Sequence, residues 1–360
     1  MSSMFTSELK EGMVTLTDTY STKGQLVLPK NTIITKNIIN KLISNSVLFV
    51  EISDEPVEPT KSLDFISDFT VDTEAITKTK EYKVFKRRYD RNIEIMSEHF
   101  NDIVHKHAPA EVDTMLSNAL NIIESTDSPL SIFTMLSTLK NYDDSTFNHS
   151  LNVALICNIF GTWLNLPRDM IELITACGLF HDVGKLLIPD EIIKKPGKLT
   201  PEEYSIIKTH TQLGYDLLKK RKADIHIQYA ALMHHEKFDG TGYPLALPGD
   251  QIDWCAQIVT IADIYEAMTA KRVYRDAISP FTVISTFEDD GLKKYNPKYL
   301  LTFLERVVNS YMNCKVKLSN GDEGDIVYIN RVSLSKPMIK TGSTFLDLSK
   351  QPHISIESIL

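Results

Sequence analysis

The sequence feature that most constrains this chain is a series of histidines and aspartates distributed over its central, helix-rich part. The string HDVGK runs from His181 to Lys185, HHEKFDGTGYP runs from His234 to Pro244, and His210 lies between them. Neutral imidazole and carboxylate are the usual protein ligands of iron, manganese and zinc. Because such side chains on separate helices can meet only in a folded interior, the series predicts an all-α core that encloses a two-metal hydrolytic site.

The candidate metal ligands share one property, which is that each lies within or next to an apolar helical pattern. They are His149, His181, Asp182, His210, His234, His235 and Asp263. Asp182 is the predicted bridge, because the two oxygens of one carboxylate can bind two metal ions about 3.5–4 Å apart. A lone histidine on an apolar helix is usually a core residue with an ordinary hydrogen-bond partner. The prediction therefore depends on the whole set occurring together.

Cationic and turn-forming residues nearby are candidates for contact with an anionic substrate. Lys185 follows Asp182 by three residues, which puts both on one helical face. Arg272 and Arg275 have the same spacing, and arginine binds phosphate through two parallel hydrogen bonds. An ordinary surface ion pair is the alternative for the two arginines. FDGTGYP is typical of turns, and its Tyr243 is predicted either to contact substrate or to pack within the turn.

Composition restricts the class of protein. The 360 residues carry a net charge of -8, which argues against binding to DNA or RNA polymers. The four cysteines form no C-x-x-C pair, and this predicts buried free thiols in a reducing compartment. The N-terminus resembles no signal peptide, and the most apolar run, 151–167, is too short and polar to span a bilayer. We therefore expect a cytoplasmic protein with no membrane partner.

The periodicity of apolar residues predicts a multidomain, mainly α chain with β structure at both ends. Residues 71–110 have a helical repeat that favours either a dimer stalk or an ordinary amphipathic helix packed on the core. Asn320-Gly321 predicts a β-hairpin near the C-terminus. The predicted segments are a small α+β domain (1–53), a linker (54–70), a connecting helix (71–110), a helical catalytic domain (111–313) and a β appendage (314–360).

The motifs resemble those of the HD-GYP family, the cyclic di-GMP phosphodiesterase branch of the HD superfamily. The resemblance covers roughly residues 149–296 and is carried by HDVGK, LLIPDEIIKKPGKLTPEEYSIIKTH, HHEKFDGTGYP and ADIYEAMTAKRVYR, in family order and spacing. It implies that the candidate metal ligands above hold the metal ions, with Asp182 and Lys185 as catalytic residues. The residues that it implies in substrate contact are Lys185, Gly242, Tyr243, Arg272 and Arg275.

Three positions depart from the commonest family pattern. Thr211 stands where proline is frequent, and Glu266 stands where aspartate is frequent. Ser145 stands where some relatives carry a glutamate ligand, and its neutral hydroxyl is a weak ligand. We therefore expect two divalent ions per chain, iron or manganese, and no third ion.

The predicted function is hydrolysis of cyclic di-GMP to the linear dinucleotide by metal-activated water, with further cleavage to GMP left open. One alternative is a different cyclic dinucleotide substrate, such as cyclic GMP-AMP. The other is a module that senses the nucleotide without turnover. The expected protein partners are a second copy of the chain, bound through the 71–110 helix, and GGDEF-type cyclases.

Overall fold

The chain consists of two compact units, Met1–Phe69 and Thr70–Leu360, in a computed structural model. The structure describes residues 2–6, 9, 10, 12–17, 19, 20, 26–28, 32, 34, 35, 38, 39, 42, 47, 49–52, 73–126, 132, 133, 135, 136, 139, 146–195, 197–270 and 278–360. The predicted linker, 54–70, lies outside these residues, so the predicted domain boundaries stay predictions.

The first unit contains two short antiparallel strand pairs. Strand β1 (Ser2–Phe5) pairs with β4 (Phe49–Ile52), and β2 (Thr19–Tyr20) pairs with β3 (Leu26–Leu28). Alternation along β4 buries every second side chain, as expected for a strand with one face on a core. The β structure predicted near the N-terminus is confirmed by these four strands.

The second unit is mainly helical, as predicted. Its helices are α1 (Thr73–Lys78), α2 (Lys80–His105), α3 (Val112–Ile123), α4 (Thr146–Trp163), α5 (Arg168–Phe180), α6 (Asp190–Ile193), α7 (Pro201–Lys208), α8 (His210–Lys220), α9 (Ile225–Met233), α10 (Trp254–Thr269), α11 (Pro280–Thr286), α12 (Leu292–Lys294) and α13 (Pro297–Ser310). A short 3₁₀ helix, Val183–Leu187, joins α5 to α6.

Helix α2 packs along one face onto the core of its own unit. Tyr82, Phe85, Tyr89 and Phe100 recur at helical spacing and are buried. The helix begins at Thr79, whose side chain accepts a hydrogen bond from the backbone N–H of Tyr82 at 3.1 Å. The interpretation of 71–110 as an amphipathic helix packed on the core is thereby confirmed, and dimerisation through it stays a prediction.

Helices α4 and α5 form the centre of the unit. The backbones of α4 and α5 approach closely at Gly178, which has no Cβ atom. A Cβ atom at that position would lie only 2.7 Å from the Cα atom of Ala154. Buried residues occur on all sides of α4, since α5 and α10 pack against different faces of it. Side-chain caps fix the starts of α9 and α10, where Asp224 and Asp253 accept backbone N–H groups. These helices hold most of the predicted ligands on fixed backbone.

The C-terminal residues form a five-stranded antiparallel sheet with the order β8-β7-β6-β5-β9. Its strands are β5 (Lys315–Leu318), β6 (Glu323–Tyr328), β7 (Met338–Thr341), β8 (Thr344–Asp347) and β9 (Ile356–Ile359). Gly321 has a φ of 90° in the β5–β6 turn, a conformation that glycine adopts without strain. The predicted hairpin and β appendage are confirmed, and the buried side of the sheet continues the helical core.

Two sequence predictions about side chains and helices are also tested. All four cysteines are buried and free, as predicted. Among the described residues, none of the helices combines the length and the apolar character needed to cross a bilayer.

Candidate metal centre

The predicted ligands lie at helix ends and on one helix face around a common interior point. His149 lies in the first turn of α4, and Asp263 lies within α10. His181 and Asp182 follow α5 directly, and His234 and His235 follow α9. His210 begins α8, because α7 ends at Lys208.

The two carboxylate oxygens of Asp182 face different groups of imidazoles. Oδ2 lies 3.3 Å from Nε2 of His149 and 3.5 Å from Nε2 of His181. Oδ1 lies 3.3 Å from Nε2 of His210 and 3.6 Å from Nε2 of His234. The Asp182 side chain is 1% exposed, so water does not solvate either oxygen freely. This is the arrangement that a carboxylate shared by two cations requires.

Backbone carbonyls fix the tautomer of three of the histidines. Nδ1 of His181 lies 2.8 Å from the carbonyl oxygen of Gly178. Nδ1 of His210 lies 2.7 Å from the carbonyl oxygen of Ile207, and Nδ1 of His234 lies 3.0 Å from that of Ala230. A carbonyl oxygen only accepts, so each Nδ1 carries the proton. In the neutral ring, Nε2 then has a lone pair that points toward Asp182.

Two of these imidazoles bring their Nε2 atoms close together. Nε2 of His210 lies 3.2 Å from Nε2 of His234. Burial lowers the pKa of His210, so its ring is neutral at physiological pH and its Nε2 atom presents a lone pair. Among the described residues, Oδ1 of Asp182 likewise accepts no hydrogen bond. Two imidazole nitrogens and an anionic oxygen that converge on one point form a donor set that fits a divalent metal ion.

His149 is held by a carboxylate on the side that faces away from Asp182. Its Nδ1 atom lies 2.5 Å from Oε2 of Glu266, and Nδ2 of Asn152 donates to Oε1 of Glu266 at 2.9 Å. Burial lowers the pKa of His149, but the charges of Glu266 and Asp263 outweigh burial and raise it to about 10. Glu266 thus makes a contact with His149 although aspartate is the commoner residue there, and such a contact orients a ligand imidazole.

Three overlapping groups of side chains in this region could each hold a metal ion. Nε2 of His149 lies 3.0 Å from Oδ1 of Asp263, and the pKa of Asp263 is lowered because His149 outweighs the effect of burial. The groups are His149, His181 and Asp182; His181, His234 and Asp263; and His210, His234 and His235. All seven predicted ligands therefore converge, while ligation itself and the number of ions stay predictions.

Comparison with known proteins identifies this region. A family model described as "HD domain" matches residues 132–299. The chain is 32% identical over 204 residues to a cyclic di-GMP phosphodiesterase of Pseudomonas aeruginosa, covering 56% of this chain and 49% of that protein. It is 36% identical over 160 residues to 3'3'-cGAMP-specific phosphodiesterase 2 of Vibrio cholerae, covering 44% of this chain and 30% of that protein. Residues 132–299 therefore form an HD domain, which is called the HD-GYP domain after its HDVGK and GYP motifs.

The comparisons cover only part of each relative. The chain spans about half the length of the Pseudomonas protein and less than a third of the Vibrio protein. Among solved structures, Bd1817, an HDG"Y"P protein of Bdellovibrio bacteriovorus, superposes with a TM-score of 0.51 at 16% identity. That match covers 85% of this chain and 99% of that one, and it shows that the two share a fold.

The HDVGK motif of the HD-GYP domain lies against the start of α8. Lys185 donates to Oδ2 of Asp182 at 2.5 Å, which confirms the shared face predicted from their spacing. A Cβ atom on Gly184 would lie 2.0 Å from the carbonyl oxygen of His210. Only glycine therefore allows the motif to approach the helix that carries His210.

The GYP loop, residues 242–244, lies on the His235 side of the centre. The ring of Tyr243 stacks on that of His235 with centroids 4.7 Å apart and an angle of 27°. Glu236 is buried and accepts the backbone N–H groups of Leu245 and Leu247, which fixes the loop. A Cβ atom on Gly242 would lie 2.4 Å from the Cα atom of Glu236, so this glycine permits the close approach.

Some predicted residues fall outside the described part of the chain. Arg272 and Arg275 lie within 271–277, and Ser145 lies within 140–145, so their positions relative to the centre stay predictions. Thr211 is described and buried, and its hydroxyl donates to the carbonyl of Lys208 at 3.0 Å.

Sequence reasoning missed two kinds of contact in the HD-GYP domain. Asn152 holds Glu266, and its position three residues after His149 was a usable signal, because that spacing shares a helix face. Nζ of Lys208 lies 5.7 Å from the ring centroid of Tyr243, within cation–π range. No spacing rule predicts that second contact, since loop closure brings the two residues together.

Proposed function

We propose that this chain is a metal-dependent phosphodiesterase that hydrolyses cyclic di-GMP to the linear dinucleotide. The observation that carries the proposal is the position of Asp182, whose two oxygens face two separate sets of buried imidazoles. The Pseudomonas relative, which is named for this activity, supports the choice of substrate.

In this proposal the HD-GYP domain holds two divalent ions, iron or manganese, both suited to mixed imidazole and carboxylate ligands. Oδ2 of Asp182, His149 and His181 would hold one ion, and Oδ1 with His210 and His234 would hold the other. His235 and Asp263 complete the two sets. When bound, such a pair neutralises phosphoryl charge and lowers the pKa of coordinated water.

The chain's own residues would orient the phosphodiester. Lys185 lies beside Asp182 and is 25% exposed, so its ammonium group can reach an anionic phosphoryl oxygen. The ring of Tyr243 stacks on that of His235, so Tyr243 would lie beside a phosphodiester bound at the centre. Arg272 and Arg275 would grip phosphate oxygens through paired hydrogen bonds. Together these cations would favour a ligand with anionic phosphodiesters.

A second substrate has a specific observation in its favour. The Vibrio relative named 3'3'-cGAMP-specific phosphodiesterase 2 is 36% identical over 160 residues. Cyclic GMP-AMP has the same two phosphodiesters, so the metal site alone does not discriminate between these substrates. Discrimination would come from contacts to the second base.

The deciding experiment uses the full chain, purified without oxygen and loaded with Fe²⁺ or Mn²⁺. Cyclic di-GMP and cyclic GMP-AMP are incubated separately, and products are identified by mass spectrometry. The proposal expects the linear dinucleotide from cyclic di-GMP with the wild type and with Asp190→Asn, an exposed control, and none with Asp182→Asn. Binding without turnover by the wild type would instead favour a nucleotide-sensing module.

Assembly forms the last part of the proposal. We infer a cytoplasmic homodimer through residues 71–110 and contact with GGDEF-type cyclases. Because the apolar face of α2 packs on its own core, such a dimer would use the charged face of the helix. Light scattering at low and high salt tests this, since an interface of charged residues weakens as salt screens it.

A further inference from the structure

A continuous chain of hydrogen bonds connects α2 to the metal centre. The hydroxyl of Tyr89 on α2 donates to Oδ1 of Asn152 on α4 at 2.8 Å. Nδ2 of Asn152 donates to Oε1 of Glu266 on α10 at 2.9 Å, and Oε2 of Glu266 lies 2.5 Å from Nδ1 of His149. Three helices distant in sequence thus meet behind one predicted metal ligand.

The direction of each hydrogen bond is fixed by chemistry. An ionised carboxylate only accepts, so the amide nitrogen of Asn152 must face Glu266 and its oxygen must face Tyr89. Tyr89 is 1% exposed, and burial together with the charge of Glu266 raises its pKa, so the hydroxyl keeps its proton and donates. A second acceptor, the carbonyl oxygen of Asn148, lies 3.4 Å from this hydroxyl.

The chain of hydrogen bonds controls which way the His149 ring faces. Glu266 holds Nδ1, and this leaves Nε2 directed at Asp182 and Asp263, 3.3 and 3.0 Å away. Asn152 restrains the other oxygen of the Glu266 carboxylate, and Tyr89 restrains the Asn152 amide. A partner of a ligand's outer nitrogen tunes both the orientation and the basicity of that ligand.

We propose that Tyr89 is a positioning residue that, through Asn152 and Glu266, sets the metal affinity of the His149 side of the centre. The inference rests on the proposed function, since it assumes that His149 is a ligand. Helix α2 lies in the second unit and precedes the HD-GYP domain in the chain. A displacement of α2 relative to α4 would therefore change metal occupancy without altering any ligand residue.

The test compares two tyrosine-to-phenylalanine variants of the full chain. Tyr89→Phe removes the hydroxyl at the start of the relay. Tyr82→Phe removes a hydroxyl from the same buried face of the same helix, away from the relay. Mn²⁺ is titrated into each metal-free protein in competition with a chromophoric chelator, and substrate is not used.

We expect Tyr89→Phe to weaken one metal-binding step about 3- to 10-fold, the equivalent of one ordinary hydrogen bond, and to leave the other step unchanged. Tyr82→Phe should bind like the wild type. The visible spectrum of the Co²⁺-loaded protein should change in Tyr89→Phe alone, because its bands report the ligand geometry. A change in stability without these effects would show a structural role and overturn the proposal.

A double-mutant cycle tests the relay itself. Asn152→Ala should weaken the same step, and Tyr89→Phe combined with Asn152→Ala should weaken it no further, because both changes break one pathway. Asn158→Ala on the same helix is the control, since Asn158 donates to Thr175 away from the centre. The proposal would be overturned if the losses of Mn²⁺ affinity in Tyr89→Phe and Asn152→Ala added up in the double variant. It would also be overturned if the controls Tyr82→Phe and Asn158→Ala lost as much affinity as these variants. If Tyr89→Phe does not fold, the contrast in Mn²⁺ affinity between Asn152→Ala and Asn158→Ala tests the relay, and equal affinities would overturn it.

The result is separable from the proposed activity. Wild-type protein that binds Mn²⁺ with the expected variant effects but leaves every cyclic dinucleotide intact would end the phosphodiesterase proposal and keep this one. Wild-type protein that binds no Mn²⁺ would end both.

Discussion

Nζ of Lys185 lies 2.5 Å from Oδ2 of Asp182, three residues earlier in the chain. The same oxygen lies 3.3 Å from Nε2 of His149, whereas Oδ1 faces His210. One side of the carboxylate is thus shared with a cationic side chain at the edge of the centre, and the other side faces His210 and His234 in the described part of the chain. This asymmetry puts the ammonium group beside the His149 set rather than the His210 set.

The first prediction concerns Asp182. Asp182→Asn should abolish turnover and lower the bound metal from two ions per chain, because an amide is uncharged and bridges metals poorly. The fold should survive, since the neighbouring helices keep their caps and core. Metal is counted by mass spectrometry, with Asp190→Asn as the matched control on an exposed aspartate. A mutant with both ions and near-normal kcat would exclude the bridging role.

The count of ions is a separate measurement. Wild-type protein loaded anaerobically with excess iron or manganese should hold two ions per chain. Asp143 and Asp144 lie outside the described residues, six and five positions before His149, and this spacing predicts that they cap the start of the helix rather than bind metal. Asp143→Ala and Asp144→Ala should therefore leave the number of ions unchanged. A ratio near three that falls in either variant would contradict the two-metal prediction.

The second prediction concerns Lys185. Lys185→Ala should keep the metal content, since lysine is not a proposed ligand, and should lower kcat about 100-fold or more through loss of one donor to the transition state. Lys194→Ala, which removes an exposed lysine paired with Asp190, is the control. Unchanged kcat in Lys185→Ala would show that its contact with Asp182 is only structural.

The third prediction concerns the glycine of HDVGK. Gly184→Ala should lower the free energy of unfolding by about 3 kcal/mol or more, because the new Cβ would overlap the His210 carbonyl and backbone cannot move aside cheaply. Gly214→Ala, on the opposite side of the same contact, meets its nearest atom at 3.3 Å. Its effect should be within about 1 kcal/mol, since alanine also favours the helix. Urea unfolding of both variants measures the difference, and equal losses would contradict the steric argument.

The fourth prediction concerns Arg272 and Arg275, whose role is predicted from the sequence alone. Replacing either by alanine should raise KM more than it lowers kcat, if both arginines hold phosphate equally in the ground and transition states. Replacement by lysine should restore KM only in part, because lysine lacks the two-pronged hydrogen bond. Full rescue by lysine would show that charge alone acts at these positions.

The fifth prediction concerns stability at high pH. Burial raises the pKa of Cys314 from 9.0 to about 11, because the folded interior disfavours the thiolate. The unfolded chain ionises at the lower value, so this contribution is complete below pH 9 and is lost as pH rises to about 11. Two pKa units correspond to about 2–3 kcal/mol. Cys314→Ser should therefore lose less unfolding free energy between pH 8 and pH 10.5 than the wild type, as measured with urea.

Much of the helical core and the candidate ligand set could be predicted from the sequence. The adjacent pair His181 and Asp182 follows a strongly apolar helix, and Lys185 lies three residues on, so local spacing alone predicted their shared face. The β-hairpin at Asn320-Gly321 was equally local, because that dipeptide favours the turn. Where a helix begins or ends was harder, since His210 starts a new helix only one residue after α7 ends.

Other features depended on the packing of distant segments. The relay from Tyr89 to His149 joins three helices separated by about 60 and 110 residues, and no periodicity within one helix encodes such a contact. The assignment of the two oxygens of Asp182 to different histidines depends in the same way on how α4, α8 and α9 cross.

The sequence by itself therefore determined which residues were available for metal chemistry and on which helix faces they lie, because the hydrophobic and hydrogen-bonding requirements of a helix are local. Only the tertiary structure decided which oxygen of Asp182 faces which histidine and which carboxylate holds Nδ1 of His149. Those choices follow from interatomic distances of about 3 Å between segments far apart in the chain, and only the packing of the helices sets such distances.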